Sequence, residues 1–251
     1  MMRVLLLLLF LLAPMPLCAA PDTSGLRFEG RLGAQLPMDA PLRDETGRPV
    51  TLGAVAGGLP LVLALGYFHC PGLCGLVRED ALGALDRSGL RPGTDYRLLI
   101  LSIDPDETPG DAANAKEGAL ARYADPGANW RFLTAAAPSV QAITAAAGFR
   151  YRFDPALKQF LHPAGLVIAS PAGVISSYLP GLGHSPGELR AAVLRAGQGG
   201  VASALSPVLL LCFHFDPQTG RYNLAVYRAL SVMAALTALT LGGYLVLAHR
   251  A

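Results

Sequence analysis

Two cysteines and a distant histidine are the residues of this chain whose types and spacing can do chemistry. Cys70 and Cys74 close the stretch Leu61-Val62-Leu63-Ala64-Leu65-Gly66-Tyr67-Phe68-His69-Cys70-Pro71-Gly72-Leu73-Cys74. Its apolar run, bounded by Pro60 and Gly66, predicts a buried strand that empties into a Pro-Gly turn. After Cys74, Leu76, Val77, Leu82 and Leu85 recur at helical spacing, with Glu79, Asp80 and Asp86 between them. The thiols therefore stand where a central strand gives way to a helix. A helix N-terminus carries partial positive charge and lowers a thiol's pKa, so thiolate is available as nucleophile or metal ligand. Thiols four positions apart on one helical face are about 5–6 Å apart at Cβ, which suits chelation of one metal ion. A disulfide needs about 3.5–4.5 Å and a local adjustment of the backbone. The pattern leaves both open, and its spacing is one residue longer than the Cys-x-x-Cys of thiol oxidoreductases.

His162, in Phe160-Leu161-His162-Pro163-Ala164-Gly165, falls in a loop that can reach the strand end bearing the cysteine turn. Two thiolates and an imidazole form a three-coordinate set for copper: soft sulfur selects Cu(I), and imidazole also suits Cu(II). Other candidates rank below these. His69 alternates away from the strand face that Cys70 uses. Asp104 ends a strand, where a turn before Pro105 explains it equally well. Cys212 and His214 share a face if extended, as a second metal or redox site or as packing at a bilayer surface. His184 reads as a solvated loop residue before a helix.

The two ends of the chain frame this site. Residues 1–20 have Arg3, an apolar core too short to span a membrane, and small residues before a cleavage point after Ala20: a signal peptide, with which Cys18 departs. Residues 229–248 carry no charge, have the length of a spanning helix, and are bracketed by Arg228 and Arg250 with Tyr227 and Tyr244 at the ends. Much of the 52% hydrophobic content and the mean hydropathy of +0.41 resides in these ends. About 180 residues remain between them, enough for one domain with a substantial core. The net charge of +2 and the absence of a basic run argue against nucleic acid as a partner. Three cysteines left after cleavage are an odd number for a purely structural disulfide framework.

The remaining pattern predicts an extended lead-in with a hairpin around Asp44-Glu45-Thr46-Gly47-Arg48 and a cysteine helix closed by Pro92-Gly93-Thr94. A strand over 96–103 follows, then a helix capped by Thr108 with Pro109 at N1 and running to Tyr123. A third strand over 130–134, an Ala-rich helix over 138–147 ended by Gly148, and a short strand over 149–153 come next. A hairpin of 166–169 with 174–178 and a helix over 186–196 close the domain. Strands alternating with helices indicate an α/β sheet covered on both faces.

Four blocks of this sequence together resemble the Sco/SenC family. Gly66-Tyr67-Phe68-His69-Cys70-Pro71-Gly72-Leu73-Cys74 is similar to that family's Gly-Tyr-Thr-x-Cys-Pro-Asp-x-Cys. Ser102-Ile103-Asp104-Pro105-Asp106-Glu107-Thr108-Pro109 is similar to its Ser-x-Asp-Pro-x-x-Asp-Thr-Pro. Trp130-Arg131-Phe132-Leu133-Thr134 and the late His162 fall in the family's order. The resemblance spans about Gly30 to Ala196. It implies a thioredoxin-like α/β domain over 21–196; the linker over 197–228 and the spanning helix over 229–248 are read from composition instead, and a C-terminal anchor is unlike the N-terminal anchor of the better-known members. The resemblance implies a copper ion, Cu(I) or Cu(II), held by Cys70, Cys74 and His162. The expected partner is the copper-site subunit of cytochrome c oxidase or another copper chaperone, at the periplasmic face of a bacterial inner membrane. The departures are local: Gly72 replaces an Asp, Gly75 a Pro, and Leu161 an Asp before the histidine. A thiol–disulfide oxidoreductase using Cys70 and Cys74, reducing oxidase-subunit cysteines or acting on peroxide, is the rival expectation.

Overall fold

The computed structural model describes residues 25–70, 74–123 and 130–202, with positions 215–216, 221–222, 233 and 237, and the side chains of all these except 74, 215, 216, 221 and 222. The lead-in opens with the expected hairpin: β1 (Pro41–Arg43) pairs antiparallel with β2 (Pro49–Thr51). Thr51 then caps a five-residue helix, α1 (Leu52–Ala56), accepting from the Ala54 amide at 3.2 Å, and Gly57 ends it at φ +61. So short a helix is under two turns and has no periodicity to read, which is why the sequence suggested only extended chain here.

β3 (Leu61–Gly66) leads through the cysteine turn to α2 (Cys74–Asp86), β4 (Arg97–Ser102), α3 (Pro109–Leu120), β5 (Trp130–Leu133) and α4 (Ala137–Ala146). Two further pairs follow, β6 (Arg152–Asp154) with β7 (Gln159–Leu161) and β8 (Gly165–Ala169) with β9 (Ile175–Pro180). The domain ends on α5 (Pro186–Gly197), and a small pair, β10 (Phe215–Asp216) with β11 (Arg221–Tyr222), lies further along. The main sheet has the order β5-β4-β3-β8-β9. β3, β4 and β5 run parallel, and β8 returns antiparallel beside β3.

Central strands of such a sheet are apolar on both faces because both are covered. On one face Leu61, Leu63, Leu65, Leu99 and Leu101 pack with Leu52 and Val55 of α1 and Val140 and Ile143 of α4. On the other, Val62, Ala64, Leu98 and Ile100 pack with Leu82 and Leu85 of α2, Ala112 of α3, and Leu189 and Val193 of α5. Leu63 is wholly buried, so Leu63→Ala is expected to cost about 2–5 kcal/mol.

Local caps mark the boundaries. Thr108 and Asp111 form a capping box at α3: the Asp111 carboxylate accepts from the Thr108 amide at 2.7 Å, and the Thr108 hydroxyl accepts from the Asp111 amide at 3.3 Å. The cysteine helix stops at Asp86, short of the expected Pro92-Gly93-Thr94. The Ser88 hydroxyl donates to the Leu85 carbonyl at 2.6 Å, and Gly89 takes φ +71. The strand expected over 149–153 is displaced to 152–154, with Phe149 making only an isolated bridge to Phe28.

The register fixes which end of the sheet does what. Leu61, at the start of β3, lies beside Ala169, while Ala64 lies beside Leu166, nearer the end where Gly66 and Gly165 stand. Beyond α5 the chain is pinned at the Leu61 end. The Ala202 amide donates to the Ser176 carbonyl at 2.8 Å, and the Ser176 hydroxyl donates to the Gly200 carbonyl at 2.6 Å. No helix among the described residues is long and apolar enough to cross a membrane. Of the expected helix over 229–248 only Met233 and Thr237 are described; both are helical, with the Thr237 hydroxyl donating to the Met233 carbonyl at 2.9 Å. The expected leader, 1–20, lies outside the described residues.

Candidate metal centre

Past Gly66, β3 leaves the sheet and two successive amides turn inward onto one carboxylate. The Phe68 amide donates to Glu107 Oε1 and Oε2 at 2.7 and 2.8 Å, and the His69 amide donates to Oε1 at 2.7 Å. The Ser102 hydroxyl, at the tip of β4, donates to Oε2 at 2.6 Å. The Glu107 side chain is 2% exposed. A loop one residue from Cys70 is thus hung from a buried acid delivered by the β4–α3 connection.

His162 follows β7 directly and returns to the same end of the sheet. Its ring lies 6.1 Å, centroid to centroid, from that of Tyr67 and 5.7 Å from that of Phe149. With Gly66, Tyr67, Phe68, Val77 and Arg78 it lines one small pocket at the tip of β3. Nδ1 lies 2.9 Å from the Pro163 carbonyl, which can only accept, so Nδ1 carries the proton and in the neutral ring Nε2 holds the lone pair. Burial pushes the His162 pKa down, with the Pro163 hydrogen bond opposing it. The ring is therefore neutral at pH 7, the state a metal requires.

Cys70 packs against the core and is disulfide-bonded. Among the described residues no group of three or more His, Cys, Asp or Glu side chains is gathered closely enough to hold a metal ion; the side chain of Cys74 is not among them. Arg78, one turn beyond Cys74 on α2, was not foreseen as part of the pocket wall. Burial pulls its guanidinium pKa down, with Glu79 opposing.

The lesser candidates separate cleanly. His69 is exposed and stands between two acids, Nδ1 3.3 Å from Glu107 and Nε2 3.3 Å from Asp111. Asp104 is a turn residue, accepting from the Asp106 amide at 3.0 Å. His184 corrects the sequence reading: it is buried, 6% exposed, not solvated. Its Nδ1 meets the Asp80 carboxylate and its Nε2 lies 3.0 Å from the Leu179 carbonyl. This pair ties the middle of α2 to the loop before α5. Removing the imidazole leaves the half-buried Asp80 carboxylate and the Leu179 carbonyl without this donor, so His184→Leu is expected to cost about 2 kcal/mol in urea unfolding. A loss below about 1 kcal/mol would reduce the pair to packing. Cys212 and His214 lie outside the described residues.

No known family profile matches the chain, and neither does any curated protein. Solved structures do. A candidate electron transfer protein of Aquifex aeolicus, 26% identical, superposes with a TM-score of 0.60 over 67% of this chain and 95% of that one. The copper-bound ScoI of Arabidopsis thaliana, 17% identical, does so with 0.53 over 67% and 99%. A SCO1/SenC family lipoprotein of Bacillus anthracis, 15% identical, gives 0.53 over 66% and 96%. This chain has the Sco/SenC fold. Within the Sco/SenC fold the cysteine turn and His162 stand at one end of the sheet, and the route taken by the chain after α5 begins at the other.

Proposed function

We propose that this is a Sco/SenC-family copper-binding protein that supplies copper for assembly of the dinuclear copper site of a terminal oxidase. Cys70, Cys74 and His162 hold the ion. The observation that carries this reading is the meeting of His162 with Tyr67 in one pocket, three residues before Cys70, with Nδ1 tied back so that Nε2 is the donor nitrogen. Two thiolates and a neutral imidazole match copper in both oxidation states. A backbone hydrogen bond on the far ring nitrogen is the usual way a metal-binding histidine is oriented. A three-coordinate ion leaves room for an incoming ligand, so transfer proceeds by exchange, one donor at a time.

The partner in this reading is the oxidase copper-site subunit or another copper chaperone. A signal peptide over 1–20 and a spanning helix over 229–248 would hold the domain on the periplasmic face of the inner membrane. The solved copper-bound ScoI, by its fold, supports the assignment.

The disulfide at Cys70 gives a direct test, because thiolate, not disulfide sulfur, binds the ion. Full-length protein in detergent is expected to take up no Cu(I) until a dithiol reduces it, and one equivalent thereafter. Cys70→Ser and Cys74→Ser should each abolish that uptake. Stoichiometric binding by the oxidised protein or by both variants would end the assignment.

A second reading rests on the same disulfide and on the Aquifex neighbour described for electron transfer. Here the reduced Cys70 and Cys74 pair gives its two electrons to an oxidase-subunit disulfide, or to peroxide, and is left as the disulfide, without His162. Turnover on a disulfide substrate that survives His162→Ala, in protein with negligible copper affinity, would favour it.

A further inference from the structure

Glu107 is buried, yet it faces neither the core nor a cation of its own element; its carboxylate is spent on the cysteine loop. Three donors, the amides of Phe68 and His69 and the Ser102 hydroxyl, reach it at 2.6–2.8 Å. Bonds to an ionised acceptor are shorter and about twice as strong as neutral ones. Leaving a buried amide without its acceptor costs about 1–3 kcal/mol. The Ser102 hydroxyl in turn accepts from the Asp104 amide at 3.1 Å, so the acid is itself fixed from β4. His69 adds an imidazole nitrogen at 3.3 Å.

We propose that Glu107 is the positioning residue of the Cys70 turn: by pinning the Phe68 and His69 amides it fixes where the Cys70 sulfur is presented, and so sets both the copper affinity and the dithiol–disulfide balance of the site. The copper half rests on the function proposed above; the thiol half does not. Pinning acts by preorganisation. A turn held in one place presents its thiol without further loss of freedom, whether to a metal ion or to a second sulfur. Aspartate at 107 keeps the charge but is one methylene too short to span both amides. Glutamine keeps the length but sets an NH2 donor against the Phe68 amide or the Ser102 hydroxyl. Charge and position make opposite predictions for Glu107→Gln. Removing a nearby negative charge alone favours thiolate and strengthens Cu(I) binding; losing the pinned turn weakens it.

The test uses full-length protein, its variants Glu107→Gln, Glu107→Asp and Ser102→Ala, and circular dichroism to establish that each is folded at the working temperature. Cu(I) affinity is measured by competition with a chromophoric chelator. It is expected to fall about 10–100-fold in both Glu107 variants, the range typical for partners that orient a metal's ligands. The thiol balance is measured in glutathione, where the protein disulfide and two GSH give the protein dithiol and one GSSG. It is expected to move toward dithiol by at least tenfold, about 30 mV, in the same two variants. If the Glu107 variants do not fold, Ser102→Ala decides, with a roughly threefold to tenfold effect in the same directions, since it removes one of the three donors. Unchanged or tighter Cu(I) binding together with an unmoved thiol balance in folded variants overturns the proposal. Wild-type protein that binds no copper, with a thiol balance that still depends on Glu107, would sink the copper reading and leave the positioning role standing.

Discussion

His162→Ala is expected to lower Cu(II) affinity at least 100-fold while retaining weakened Cu(I) binding. Thiolate pairs suffice for soft Cu(I), whereas Cu(II) needs the borderline imidazole nitrogen to complete its set. The size follows from a comparison: losing a group that only orients a ligand typically costs 10–100-fold, and in the proposed function His162 is the ligand itself. The substitution should be tolerated structurally, because the ring is only partly buried and meets Tyr67 edge-on and Phe149 at a tilt. Electron paramagnetic resonance of the Cu(II) form separates the cases. Wild-type spectra should show nitrogen coupling and the variant should show none. Equal Cu(II) affinity with an unchanged nitrogen signal would remove His162 from the site.

The second large effect concerns stability and lies away from the pocket. Asp44, in the β1–β2 turn, is wholly buried. Its Oδ1 accepts from the Thr46 amide and hydroxyl and the Arg48 amide, at 2.9, 2.6 and 3.0 Å. Its Oδ2 accepts from Arg48 at 3.1 Å and from Arg131 of β5 at 2.8 Å. Burial alone would push its carboxyl up; the Thr46 hydroxyl, the Arg48 and Thr46 amides and the Arg48 guanidinium outweigh that and hold it down to about 2. Beside it Lys116 of α3 pairs with Glu45 at 2.9 Å, so one cluster joins the lead-in, α3 and the edge strand β5. Asp44→Asn is expected to cost about 3 kcal/mol at pH 7. A carboxyl depressed from 3.8 to about 2 stabilises the fold fully above pH 4, by about 2 kcal/mol, and loses that as pH falls through 2. The gap between wild type and variant in urea unfolding should therefore narrow as pH drops from 4 to 2. A gap independent of pH would mean that Asp44 acts through shape alone.

Much of this architecture was legible in the chain. The apolar run 61–65 and the 96–103 stretch read as buried strands, which the sheet places centrally, and Thr108-Pro109 announced its own helix. His162 could be listed as a candidate from its chemistry, but its arrival beside Tyr67 depends on β7, a three-residue strand that carries no alternation to detect. Glu107 was visible only as one acid of Asp104-Pro105-Asp106-Glu107. Little local distinguishes the acid that turns inward, because two of its three donors are amides nearly forty positions earlier. His184 was misread for the same reason: burial by Asp80 is a contact across 104 residues, beyond the reach of any periodic pattern.

Ala202 is fastened to Ser176, level with the start of β3, while the cysteine loop crowns its finish. Six residues of strand, roughly 20 Å, separate root from crown. The residues described directly after α5 therefore depart from the end of the sheet opposite the pocket.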